Sequence, residues 1–166
     1  MLSYNNMKIS DFLNADLLEL DLSASDTENC IKKLVDILER NSLIKSPEEV
    51  YRKLIEREKV MSTGIGMEVA IPHARCPSLS RTIVTMAISN RGIEFKAIDG
   101  KPVKVIFLIV GPPEAASLHV KLLAQIARMI KSKDFAETIL QAKTGAEIVE
   151  IIQRKEMEET KENGVE

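Results

Sequence analysis

Cysteine is nearly missing from this chain: Cys30 and Cys76 are the only two among 166 residues, too few for a disulfide framework at this size. Cys30 sits beside Ile31, Leu34 and Val35 in a helical pattern and reads as a small buried hydrophobe. Cys76, after His73, has no second ligand or base spaced to use it. An excess of either charge is missing too. The 23 basic and 25 acidic side chains leave a formal net charge of −2, and without a basic surplus on one face a large nucleic-acid footprint is excluded. Long apolar runs are absent: the longest, Val105 to Val110, is bounded by Lys104 and Gly111-Pro112-Pro113, well short of the ~20 residues that span a bilayer. The stretch MLSYNNMKIS has no basic segment followed by an apolar core, so no secretory signal is read and a cytoplasmic location is expected. No internal repeat and no long linker divides the chain.

What is present is an ordinary globular balance, 45% hydrophobic and 29% charged, enough for one substantial core. Leu17 to Leu22 (LLELDL) reads as a short strand, and Ser25 with Glu28 as a capping box before the helical face Ile31, Leu34, Val35 and Leu38. Ser46 is a natural N-cap, Pro47 suits the first helical position, and Glu48 and Glu49 suit the positive end of the dipole. That helix is expected to run to about Val60 and to bury Val50, Leu54 and Met61. Val69 to Ile71 reads as a strand ended or forced to an edge by Pro72, and Thr82 to Ser89 as another. Ile93–Ile98 and Val103–Val110 flank the turn Asp99-Gly100-Lys101-Pro102, which predicts that they pair antiparallel. Leu118, Leu122, Ile126 and Met129 then mark a helix, Asp134 to Ala142 a short one, and Thr144 with Glu147 caps a last one carrying Ile148, Ile151 and Ile152. Residues 1–155 are expected to form one α/β (α+β) domain, a mixed central sheet flanked by helices on both faces. Residues 156–166 read as a charged, frayed tail.

Chemistry is sparse. There are two histidines. His73 follows a strand and a proline, where a side chain reaches solvent in a fixed direction. His119 falls in the first turns of a helix, where unpaired N–H groups favour an anion. If the two meet, they form a two-histidine site beside an electropositive helix end; taken alone, each is more often a hydrogen-bonded structural or surface residue. Metal binding is the rival chemistry, but no third ligand is spaced to join them, and Glu68 and Glu94 have no spacing that recruits them. Arg57 borders the apolar stripe of its helix, placed either to fork onto a phosphate or to pair with Glu56 or Glu58. Gly64-Ile65-Gly66 is neither a Walker loop nor a complete Rossmann fingerprint.

Together, Arg57-Glu58, Ser62-Thr63-Gly64-Ile65-Gly66 and Val69-Ala70-Ile71-Pro72-His73-Ala74 resemble the active segment of the fructose/mannitol-type enzyme IIA domains. These belong to the bacterial phosphoenolpyruvate-dependent phosphotransferase system, and the group includes the nitrogen-regulatory enzyme IIA proteins. The similarity continues through Gly92-Ile93-Glu94-Phe95, Ala97 to Val103 and Leu118-His119, so it spans most of the chain. The resemblance implies that His73 is the phosphorylated histidine, His119 the second active-site histidine and Arg57 the site arginine, with Thr63 and Gly64 lining the phosphate region. It implies no metal or other cofactor. The expected donor is the histidine phosphocarrier protein, and the acceptor a IIB component in sugar uptake or, alternatively, proteins regulated by the phosphorylation state. Neither nucleic acid nor membrane insertion is implied. Glu68 departs from the pattern, standing where the family usually has glycine, and is expected to face solvent.

Overall fold

The computed structural model describes residues 6–162. The elements are α1 (Ile9–Phe12), a 3-10 turn at Ala15–Leu17, α2 (Thr27–Arg40), α3 (Pro47–Val60), β1 (Gly64–Gly66), β2 (Val69–Ala70), β3 (His73–Arg75), β4 (Ile83–Ile93), β5 (Val103–Gly111), a 3-10 turn at Pro113–Ala115, α4 (Ala116–Met129), α5 (Phe135–Leu140) and α6 (Gly145–Glu162).

The unbroken apolar run of β5 makes it the centre of a mixed sheet. β4 lies antiparallel to it, with Ile83 opposite Val110 and Ile88 opposite Val105. β2 and β3 run parallel to it, with Val69 opposite Val105 and His73 opposite Ile109. The offset is 36 residues in both (105 − 69 and 109 − 73), so β2 and β3 form one strand interrupted at Ile71-Pro72, with β3 at the sheet edge. Proline cannot donate to the ladder, which accounts for the break. β1 folds back antiparallel on β2.

Alternation along β5 divides the core. Ile106, Leu108 and Val110 pack with α2 and α3 residues such as Leu34, Leu38, Val50 and Leu54. Val105, Phe107 and Ile109 pack with α4, α5 and α6 residues such as Leu122, Ile126, Phe135 and Ile152. Phe107 stacks on Phe135, with ring centroids 6.3 Å apart. The mixed sheet with helices on both faces is therefore as expected.

Several local expectations need correction. The strand paired with β5 is not Ile93–Ile98: β4 itself continues to Ile93, with a register shift after Ile88. The chain then leaves the sheet, through Lys96 at φ 53, and Ile98 is 81% exposed. Leu17–Leu22 forms no regular strand. Glu19 makes one parallel bridge to Ala87, and the Leu22 N–H reaches the Ile88 carbonyl at 2.7 Å. The N-cap of α2 is Asp26, whose side chain accepts from the Asn29 N–H, not Ser25. α3 begins at Pro47 and ends at Val60 as read, but Met61 lies past the last turn and is 66% exposed.

The tail expected to fray from residue 156 is instead helical to Glu162. Polar contacts replace the missing apolar support: Ser10 Oγ donates to the buried Glu156 carboxylate at 3.2 Å, and Lys155 Nζ donates to Ser132 Oγ at 3.0 Å. Residues 163–166 lie outside the described residues. At the other end of α6, a Cβ added to Gly145 would sit 2.0 Å from the Ala15 carbonyl oxygen, so only glycine lets α6 lie against the 3-10 turn.

Candidate active site

Where β3 forms the sheet edge, α3 approaches from one face and α4 from the other. Between them opens a cleft of about 740 Å³, whose lining includes Arg57 from α3, His73 and Arg75 from β3, and Ala116 and His119 from α4. The two histidines and the arginine singled out by sequence thus come together. Val60, Val120, Leu123 and two prolines, Pro77 and Pro113, supply apolar wall.

His73 owes its direction to the strand. As the partner of Ile109 in a parallel pair, it shares that residue's face of the sheet, the side covered by α4. Its Nδ1 lies 2.8 Å from the Ile71 carbonyl oxygen. A carbonyl can only accept, so Nδ1 carries the proton and Nε2 keeps its lone pair. Burial lowers the His73 pKa below 6.5; the Ile71 bond opposes this, while Arg57 and Arg75 add to it.

His119 is deeper, 4% exposed, on the first turn of α4. Its Nε2 is 3.4 Å from Thr82 Oγ1. Burial first, then the neighbouring His73 and Arg75, lower its pKa to about 4, so the ring is neutral at ordinary pH. Gly111 makes room for it: a Cβ there would be 2.6 Å from His119 Nε2 and 2.7 Å from Thr82 Oγ1.

Arg57 is half-buried at the last turn of α3, and its Nη1 donates to the Met61 carbonyl at 2.8 Å. This is neither of the ion pairs open at the sequence level; Glu56 pairs with Arg52 and Lys53, and Glu58 turns to Thr63. The Thr63 N–H donates to Glu58 Oε2 at 3.1 Å and its hydroxyl donates to Oε1. Burial raises the Glu58 pKa, and the two Thr63 bonds pull it back.

Thr63 and Gly64 are not among the cleft-lining residues. Thr63 is buried against Glu58, and a Cβ on Gly64 would be 2.9 Å from Ala97 Cβ. The expectation that they line the phosphate region is corrected accordingly: they pack the segment beneath the site. Glu68 also lies off the cleft and is half-buried rather than fully in solvent. Its φ is 66, and that of Met67 is 57, a left-handed pair joining β1 to β2. Glycine adopts such a backbone without strain, which explains why glycine suits position 68.

Arg75 was missed in the sequence, although it stands two residues from His73 and strand alternation puts both on one face. Thr82 carried no local signal; it meets His119 only through the pairing of β4 with β5. Cys30 and Cys76 are both buried, their thiols pushed up to about 12 and about 11 mainly by burial, so neither is a ready nucleophile. Among the described residues no group of three or more His, Cys, Asp or Glu could hold a metal ion, and no helix is long and apolar enough to cross a membrane.

Residues 11–155 match the family model described as the phosphoenolpyruvate-dependent sugar phosphotransferase system, EIIA 2. The chain belongs to this family. Similar proteins include the fructose-specific EIIABC component of Bacillus subtilis, 26% identical over 88% of this chain; the chain spans only 23% of that protein's length. A nitrogen regulatory protein of Bradyrhizobium diazoefficiens is 35% identical over 62% of this enzyme IIA chain and 67% of its own. Among solved structures, the nitrogen regulatory protein IIA-Ntr of Neisseria meningitidis superposes with a TM-score of 0.80 at 28% identity, covering 87% of this chain and 98% of that one.

Proposed function

We propose that this enzyme IIA carries a phosphoryl group on His73, taken from the histidine phosphocarrier protein and passed to a IIB component for uptake of a fructose- or mannitol-like sugar. The observation that carries this reading is the bond from His73 Nδ1–H to the Ile71 carbonyl, which leaves Nε2 unprotonated at a cleft shared with Arg57, Arg75 and His119. The Nε2 lone pair forms the new N–P bond as the donor's N–P bond breaks, and the departing electron pair returns to the donor imidazole. The Nδ1 proton stays where it is, held by Ile71.

Phosphoryl transfer of this kind passes through a loose transition state, so alignment and charge do most of the work. Arg57 and Arg75 supply positive charge to the equatorial oxygens. His119, neutral, offers an N–H without adding a charge that would have to be neutralised, and the start of α4 adds its dipole. Reversibility suits a carrier, because the same groups serve acceptance and donation. The components act in the cytoplasm on this reading.

A second reading, regulation by phosphorylation state, is favoured by the similarity to nitrogen regulatory proteins in both sequence and structure. In it the recipient is a regulated protein rather than IIB. The test of the shared claim is incubation with phosphoenolpyruvate, enzyme I and the phosphocarrier protein, followed by intact-mass measurement. An acid-labile phosphate is expected on the wild type and none on His73→Ala; equal labelling of both would overturn the reading. Adding IIB domains of fructose and mannitol systems then separates the two roles, since only a transport component discharges its phosphate to one of them.

A further inference from the structure

A line of hydrogen bonds runs from α3 to the nucleophile. Glu58 accepts from the Thr63 N–H at 3.1 Å and from the Thr63 hydroxyl. The Thr63 carbonyl accepts from the Ile71 N–H at 3.0 Å. The Ile71 carbonyl accepts from His73 Nδ1 at 2.8 Å. Each link is made by a different residue, and the last one decides which imidazole nitrogen is free.

Glu58 is poorly explained as a surface charge. It is half-buried, and none of the ion pairs found among the described residues includes it. Both its oxygens are spent on one residue, the buried Thr63. Neighbouring bonds brace the same segment from the other side: Ser62 Oγ donates to the Phe95 carbonyl and accepts from the Gly64 N–H. The segment 62–64 is therefore fixed to α3 at one end and to the β4–β5 connection at the other. Ile71 takes its position from that segment, at the point where Pro72 leaves the edge strand with no donor of its own.

We propose that Glu58 is a positioning residue for phosphoryl transfer, acting through Thr63 and Ile71 to hold His73 in the tautomer and orientation that expose Nε2. Because Arg57 precedes Glu58 on the last turn of α3, the same latch also sets the distance of the guanidinium from the nucleophile. Glu58 touches neither the phosphoryl group nor His73; it acts only through the bonds that Thr63 and Ile71 make. The proposal deepens the phosphocarrier reading and rests on it for its kinetic consequence, while its tautomer consequence stands independently.

The test combines Glu58→Ala, Thr63→Val and Thr63→Ser. In ¹⁵N-imidazole NMR of the unphosphorylated protein, wild type and Thr63→Ser are expected to show His73 protonated at Nδ1, whereas Glu58→Ala and Thr63→Val shift it toward a mixture of tautomers. Phosphoryl acceptance should slow by roughly 10- to 100-fold in Glu58→Ala and Thr63→Val, the scale of loss from a misplaced reacting group. Thr63→Ser, which keeps both donors, should recover most of the rate. If folded Glu58→Ala and Thr63→Val keep a pure Nδ1–H tautomer, the proposal is wrong, even if their stability falls. If wild type shows the expected tautomer but accepts no phosphate, the phosphocarrier reading fails and the latch survives.

Discussion

The two histidines of the cleft live in opposite surroundings. His73 stands on a three-residue edge strand, half-buried, with one nitrogen tied to a backbone carbonyl and the other free. His119 stands on a fourteen-residue helix, 4% exposed, in a space that exists because Gly111 has no side chain. The first arrangement fixes direction while leaving access; the second fixes a neutral donor and gives up access. The role proposed for His73, a nucleophile that meets two partner proteins, needs the former. A group that stabilises charge at the moment of transfer gains from the latter, because its strength rises as water is excluded.

Substitutions at and around the two rings separate their roles. The largest effect is expected from His119→Ala, which keeps the nucleophile and should slow phosphoryl acceptance by about 10²–10³-fold without abolishing it; rapid-quench labelling measures the rate. Gly111→Ala should cost less, roughly 10-fold, because the new methyl pushes the ring outward while leaving its chemistry intact. Its signature in the same assay is a slower rate with the label still on His73.

A smaller effect is expected from pH. Both imidazoles have lowered pKa values, so acceptance should stay flat from about pH 8 to about pH 6.5 and fall as His73 protonates below that. Stability follows the same sign at His119, whose pKa is about 4 folded against 6.5 as the ordinary value. Between those values the unfolded chain binds more protons, so stability is lost as pH falls through that window. His119→Ala should flatten this part of the curve in urea titrations. Glu58, Glu156 and Glu159 have raised pKa values and act in the opposite sense, losing stability as pH rises through them. They are common to both proteins and drop out of the comparison. The smallest effect is a gain: Glu68→Gly should stabilise the fold by about 1 kcal/mol by relieving a left-handed backbone, read as a shifted urea midpoint with phosphoryl acceptance unaltered.

Much of this was legible in the amino-acid sequence because it is local. Pro47 and the acidic pair after it announced α3, the VIFLIV run announced a strand covered on both faces, and Pro72 announced the break before His73. The resemblance carried by the Ala70–Ala74 segment and Leu118-His119 brought the two histidines together before any geometry was known. What escaped was non-local. Thr82 meets His119 only because β4 pairs with β5, and the resemblance that puts Thr63 in the phosphate region does not show that its side chain turns to Glu58. The strand at Ile93–Ile98 was misread since the turn residues after it are the same for either pairing, and the register shift within β4 decided the matter. The last turns of α6 escaped because their support is polar and comes from other elements, from Ser10 far along the chain and from Ser132.

On the proposed function, a single bond from His73 Nδ1 to Ile71 selects Nε2 as the phosphoryl acceptor. Two-dimensional ¹H–¹⁵N NMR of the phosphorylated protein, labelled at histidine and observed through the phosphorus coupling, reads the bonded nitrogen directly. The phosphoryl group is expected on Nε2 of His73, with Nδ1 still protonated; coupling to Nδ1, or to either nitrogen of His119, would overturn that assignment.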